Sequence, residues 1–187
     1  MFDPVVMIDA GQVMRWHALP VMNRRLQTNA DHQWGVLTIL LSIDPDIVTH
    51  NVTLHALYHD IGERQSGDLP APFKKMSEEI AVGHKILEEK FRDKITNFSL
   101  PELTDFEKDL VKFADMAEAL ITILLYAGNP GKVDGIAALV DNLSAIKAKL
   151  DDQFEKTRGK KLLWLWCRKY INPYIVSVPN VNMITPF

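Results

Sequence analysis

The sequence predicts an all-α protein. Three observations carry that prediction. Apolar residues recur at three- and four-residue spacing along most of the chain, alternating strand patterns are weak, and helix-start and helix-stop residues punctuate the periodic runs. With 187 residues and 47% hydrophobic side chains, the chain can build one domain with a substantial core.

The elements follow in order. A first helix is expected over 3–13, with Asp3 as N-cap and Pro4 at the first helical position. The stretch RWHALPVMNRRLQTNA reads as irregular, because Pro20 breaks it and Asn23 and Asn29 suit turns. Asp31-His32 opens the next helix, which stops near Ile43, ahead of Pro45. A third helix is read through DPDIVTHNVTLHALYHDIGE, with Ile47, Leu54, Leu57, Tyr58 and Ile61 on its apolar side and Gly62 and Gly67 marking its end. The loop SGDLPAP carries two prolines and is stiff. Further helices are expected over 74–91, 104–127 and 132–158. The last of these has Ile136, Leu139, Val140, Leu143, Ile146 and Leu150 at helical spacing. An aromatic-rich helix over 160–170 and an extended, proline-bearing tail from Asn172 complete the chain.

Composition narrows the function. A net charge of −3 argues against a nucleic-acid polymer as partner, since such binding rests on a basic surface. The single cysteine, Cys167, excludes an intrachain disulfide and a cysteine-rich metal site. The opening MFDPVVMIDAG lacks a basic segment followed by an apolar one, and no apolar run is long enough to span a bilayer. No membrane partner and a cytoplasmic location are therefore expected. The WLW helix and the tail suggest a homo-oligomer, with Trp164, Trp166 or Tyr170 as exposed anchors.

Chemistry concentrates in a few residues. His32, His59, Asp60 and Asp115 fall on three separate predicted helices, which a helical bundle can aim at one point. Mixed imidazole and carboxylate ligands suit Zn, Mn, Co, Fe or Ni and argue against a magnesium-only site. On a phosphate ester such an ion polarises a phosphoryl oxygen and acidifies water. Glu63 lies four residues after His59 and three after Asp60, on the same helix face. It could orient or deprotonate the attacking water, and a solvated helix-end glutamate is the equally weighted alternative. Taken singly, His32 reads as a hydrogen-bonded or surface residue, and Asp31 and Asp60 as helix-terminus residues. His55, one turn before His59, reads mainly as a core histidine or one standing behind the site, and less readily as a ligand.

Three blocks resemble a known family. They are Arg15-Trp16, Asn23-Arg24 and Asp31-His32, then YHDIGERQSGDLPAPFK from Tyr58 to Lys74, then VKFADMAEAL from Val111 to Leu120. With these the chain resembles the HD-domain phosphohydrolases, in particular the bacterial 5′-deoxynucleotidases. The second block is the most specific, because the His-Asp doublet, Glu63 and the GDLP-x-P loop occur together.

The resemblance implies an HD-domain helical bundle forming a single domain over 1–187. The metal-site core would lie at about 14–120, with C-terminal helices and an extended tail over about 132–187. It implies His32, His59, Asp60 and Asp115 as ligands of one divalent metal, Co, Mn or Zn, with Mg also admitted. Glu63 would be the catalytic acid/base, acting with Asp60 and Lys112. Arg15 and Trp16 would line a deoxynucleotide pocket and help exclude a ribose 2′-hydroxyl. Asp68 would face the sugar and Lys112 the phosphate, while Lys74, a further candidate substrate-binding residue, and Lys75 follow the loop and have solvation as their alternative. Physical chemistry agrees with these roles, since a rigid guanidinium and a flat indole can frame a base and sugar.

The sequence departs from the family pattern at Asp31, where a glutamate is usual, and at His55, where an apolar residue is expected. It departs again at Ala18-Leu19, which replace bulkier residues. The last change bears on base preference. Ala18 or Leu19 beside Trp16 could clamp adenine, as in dATP triphosphohydrolases of phages with 2-aminoadenine DNA. Arg24, Arg25, Arg64, Lys74 and Lys75 could then hold a longer phosphate tail. The expected activity is a 5′-deoxynucleotidase, converting dNMP to deoxynucleoside and phosphate. The alternatives are that triphosphohydrolase and a catalytically inactive HD nucleotide-binding module.

Overall fold

The structure is a computed structural model. The residues it describes are 4–15, 27–67, 77–127, 129–130, 133, 135–154, 157–176 and 183–184. Among them the chain is helical, and its only extended pairing is an antiparallel bridge between Met14 and Thr28. The helices are α1 (Pro4–Ala10), α2 (Asn29–Ile43), a 3-10 turn (Pro45–Ile47), α3 (His50–Tyr58), α4 (Glu63–Ser66), α5 (Glu78–Thr96), α6 (Asp105–Tyr126), α7 (Ile136–Gln153), α8 (Thr157–Tyr170) and α9 (Asn172–Ile175).

The long helix α6 is the axis of the core. Thr104 caps it, and Glu107 reaches back to the Thr104 backbone to close a capping box. Leu110, Phe113, Ala114, Ala117 and Leu120 recur at three- and four-residue spacing and are fully buried. They pack against α2, α3 and α7. Trp166 of α8 meets Phe113 edge to face at 6.0 Å and donates its indole N–H to Ser42 Oγ at 2.8 Å, tying α8 to α6 and α2. Trp166 is therefore a core residue, which corrects the expectation of an exposed anchor, while Tyr170 is exposed. A smaller core of Met7, Ala10, Ile61 and Ile95 joins α1 and α5 beneath the turn before α4.

Several boundaries differ from the sequence reading, each for a local reason. Helix α2 starts earlier because Thr28 caps it, and Asp31 completes a capping box instead of opening the helix. The expected third helix is three pieces. Asp44 and Pro45 start the 3-10 turn, Thr49 caps α3, and the chain leaves the helix from His59 to Gly62. The break has a tertiary cause. Gly62 passes so close to α5 that a Cβ there would overlap the Glu88 carbonyl. Helix α5 runs Glu78–Thr96 instead of 74–91, capped by Ser77 and ended by Asn97 in the left-handed conformation at φ 56°. The expected helix over 132–158 ends at Gln153, where Phe154 leaves the helix to meet Phe106 edge to face at 5.2 Å. The tail is not wholly extended. Pro173 sits in the first turn of α9, and Asn172 exchanges two 2.9 Å hydrogen bonds with the backbone of the buried Ile184.

Candidate metal centre

Three elements converge on one point. Helix α2 brings His32, the turn between α3 and α4 brings His59 and Asp60, and α6 brings Asp115. His32 Nε2 lies 3.3 Å from Asp115 Oδ1 and 3.6 Å from Asp60 Oδ2, and His59 Nε2 lies 3.4 Å from Asp60 Oδ2. Ligand atoms of His32, His59 and Asp115 all lie within 4.8 Å of one another.

This donor set fits a divalent ion. Both Nε2 atoms are buried and lack a hydrogen-bond partner, although each faces carboxylate oxygen. Four ligands held about 2.0–2.1 Å from a tetrahedral ion stand about 3.4 Å apart, which matches these separations. The rings are also held from behind. His59 Nδ1–H donates to the His55 carbonyl at 3.0 Å, and His32 Nδ1–H donates to Glu118 Oε2 at 2.6 Å. Each bond fixes a proton on Nδ1 and leaves Nε2 as the nitrogen an ion would take, displacing any proton held there. His55 itself turns its Nε2 to the Pro101 carbonyl at 2.7 Å, so it stands behind the site.

The electrostatics are those of a strongly coupled cluster. Burial and the Arg15 guanidinium work against charge on His32, but Asp115 and Glu118 outweigh them and raise its pKa to about 9. Burial likewise disfavours charge on Asp115. Lys112 and the two imidazoles prevail and hold that carboxyl well below its ordinary range. Asp60 is lowered against its own burial by His59, Arg15 and His32.

The surrounding side chains form a second layer. Arg15 donates to Asp60 Oδ2 at 2.6 Å, held in place by its backbone N–H on the Gln27 carbonyl at 2.8 Å. Lys112 reaches Asp115 Oδ2 at 2.7 Å from the exposed side of α6, where it also carries a raised pKa from Asp115. Glu63 is only 3% exposed, which excludes the solvated helix-end role. Asn29 donates to its Oε2 at 2.8 Å and to the Asp60 carbonyl at 3.2 Å.

The structure thus brings together His32, His59, Asp60, Asp115, Glu63, Arg15 and Lys112. Trp16, Ala18, Leu19, Asp68 and Lys74 lie outside the described residues, as do Arg24, Arg25 and Lys75. Sequence reasoning missed Glu118, Asn29 and Gln27. Glu118 had a usable signal, since it follows Asp115 by three residues and shares its helix face.

Residues 12–162 match the family described as 5′-deoxynucleotidase YfbR-like. The 5′-deoxynucleotidases YfbR of Escherichia coli (strain SMS-3-5 / SECEC) and Shigella boydii serotype 18 (strain CDC 3083-94 / BS512) are each 33% identical to this chain. The match covers 75% of this chain and 72% of theirs. Among solved structures, the cyanophage S-2L HD phosphohydrolase (DatZ), bound to dA and one catalytic Zn2+ ion, superposes with a TM-score of 0.56. It is 18% identical and the match covers 90% of this chain and 96% of that one. This likeness bears out the all-α HD-domain fold.

Proposed function

The chain belongs to the YfbR-like 5′-deoxynucleotidase family, and on that premise we propose that it is a metal-dependent phosphohydrolase converting 2′-deoxynucleoside monophosphates to deoxynucleoside and phosphate. The observation that carries the reading is the pair of buried imidazole nitrogens, His32 Nε2 and His59 Nε2, facing the carboxylates of Asp60 and Asp115.

His32, His59, Asp60 and Asp115 would hold the ion, of which Zn, Mn and Co suit this donor set best. When bound, it supplies Lewis acidity toward a phosphoryl oxygen and lowers the pKa of water. Glu63 takes the proton from the attacking water. Its burial and its bond to Asn29 keep its carboxylate in one orientation. Lys112, on the rim, draws the phosphate in and offsets charge that grows in the transition state. Arg15 braces Asp60 and lines the nucleotide pocket. Trp16, Ala18, Leu19, Asp68 and Lys74 retain their sequence-based roles in holding base, sugar and phosphate.

Among the described residues no helix is long and apolar enough to cross a membrane. A cytoplasmic homo-oligomer remains our proposal. Tyr170, exposed on α8, keeps its expected place as an aromatic anchor.

Product analysis tests the activity. Protein loaded with Zn, Mn, Co or Mg is given each dNMP and dNTP, with ribonucleotides as controls, and products are resolved by anion exchange. Orthophosphate and deoxynucleoside from several dNMPs are expected. Intact triphosphate from dATP alone would replace this reading with the triphosphohydrolase. Metal-loaded protein that turns over nothing would replace it with the binding module.

A further inference from the structure

We infer that Glu118 is the positioning residue of the metal centre, fixing His32 for the ion and tying it to the segment that carries Arg15. This rests on the reading of His32 as a metal ligand.

Glu118 is 7% exposed and uses both carboxylate oxygens. Oε2 accepts from His32 Nδ1–H at 2.6 Å, while Oε1 accepts from Gln27 Nε2 at 2.6 Å and from Thr122 Oγ1 at 2.8 Å. A buried carboxylate is costly unless donors meet it, and three do. The helix crossing is shaped for it. A Cβ on Gly35 of α2 would stand 2.7 Å from Glu118 Cγ and 3.1 Å from Oε1, so only glycine leaves room for this side chain.

The chemistry of the bond is directional. A carboxylate only accepts, so Glu118 fixes a proton on Nδ1 and leaves Nε2, toward Asp60 and Asp115, as the nitrogen an ion would take. An apolar residue at this position would leave the ring free to rotate. The same carboxylate anchors Gln27, whose backbone carbonyl holds the Arg15 N–H, and Arg15 rests on Asp60. Glu118 therefore reaches the metal site by two routes, one through His32 and one through Gln27 and Arg15.

The test uses the full zinc-loaded chain with two readouts: zinc affinity by chelator competition, and the NMR resonance of the His32 Nδ1 proton. Glu118→Ala is expected to weaken zinc binding by about 10- to 100-fold and to abolish the sheltered resonance. Glu118→Gln retains a carbonyl acceptor, so its resonance persists but moves upfield, and its affinity falls less than that of Glu118→Ala. Thr122→Val removes a bond to Glu118 without touching His32. It is expected to lower thermal stability while zinc affinity stays within about twofold and the resonance stays in place. Should Glu118→Ala not fold, Glu118→Gln against Thr122→Val carries the test. An unmoved resonance in Glu118→Gln, or equal losses in these two variants, overturns the inference. Unchanged zinc affinity in His32→Ala would instead remove the metal-ligand reading itself, and the role of Glu118 with it.

Discussion

Asn29 donates its side-chain amide to Glu63 Oε2 at 2.8 Å, and the same amide donates to the Asp60 carbonyl at 3.2 Å. One residue in the first turn of α2 thus holds both Glu63, the proposed acid/base, and the backbone of the proposed metal-binding turn. Glu63→Ala is expected to lower kcat by about 10²- to 10⁴-fold with zinc content unchanged. Asn29→Ala is expected to lower kcat by about 10- to 100-fold, because Glu63 loses its orientation. The double variant should be no slower than Glu63→Ala alone, which a cycle of kcat values measures. Full additivity would show that Asn29 acts elsewhere.

The ligand set makes a prediction about metal content. His59→Ala and Asp60→Ala each remove a proposed donor, so elemental analysis of the purified variants should show loss of the bound ion and of turnover. In the parent protein, free zinc at 100 times its Kd should stabilise the fold by about 2.7 kcal/mol. Thermal unfolding with and without the ion reads this directly, and neither variant should show the full shift.

Away from the site, Lys147 and Asp151 form a buried ion pair on α7 at 2.5 Å, with side chains 4% and 7% exposed. Removing one partner leaves the other charge stranded, so Asp151→Ala should cost about 3–5 kcal/mol in urea unfolding. Replacing both by apolar residues of similar volume, as in Lys147→Met with Asp151→Leu, should recover most of that loss. Equal costs for the single and double variants would mean that shape, not stranded charge, dominates.

Cys167 is fully buried, and burial pushes its thiol from 9.0 up to about 12. It should resist disulfide reagents at pH 8 in the folded protein and react on unfolding. The linkage has a definite sign. The folded state holds the proton more tightly, so the contribution to stability is complete below pH 9 and is lost as pH rises toward 12. In that window it falls by about 1.4 kcal/mol per pH unit. Comparing Cys167→Ala with the parent across that range isolates the slope.

The close approach of Gly62 to α5 predicts a sharp steric effect. Its added methyl would meet the backbone carbonyl of Glu88, which cannot swing aside as a flexible side chain can. Gly62→Ala should cost about 3 kcal/mol and weaken metal binding, since Gly62 adjoins the His59–Asp60 turn. Gly83→Ala, on the open side of α5, serves as the control and should be neutral or slightly stabilising.

The sequence made the convergence legible, and the structure shows why other features were hidden from it. His32, His59, Asp60 and Asp115 stand out as candidates because helical periodicity places them on three predicted helices, and the resemblance to HD-domain phosphohydrolases implies them as ligands. Glu118 is not singled out in the sequence, although it shares a helix face with Asp115. Its bond to His32 exists only because α6 crosses α2 at Gly35, a relationship between residues far apart in the chain. Asn29 looked like a turn residue. The Thr28 cap draws it into α2 and turns it toward Glu63. The break after Tyr58 and the one at Phe154 have the same character, since packing at Gly62 and against Phe106 overrides local helical preference.

The Met14–Thr28 bridge and the Arg15–Gln27 backbone bond clasp the chain on either side of residues 16–26. Arg15 and Gln27 are thereby fixed to the metal centre by the two ends of that segment, whatever the segment contains. Ala18 and Leu19 lie in that interval. The positions proposed to read the nucleobase are thus set apart in the chain from those proposed to hold the ion, and Arg15 and Gln27 mark the border between the two tasks.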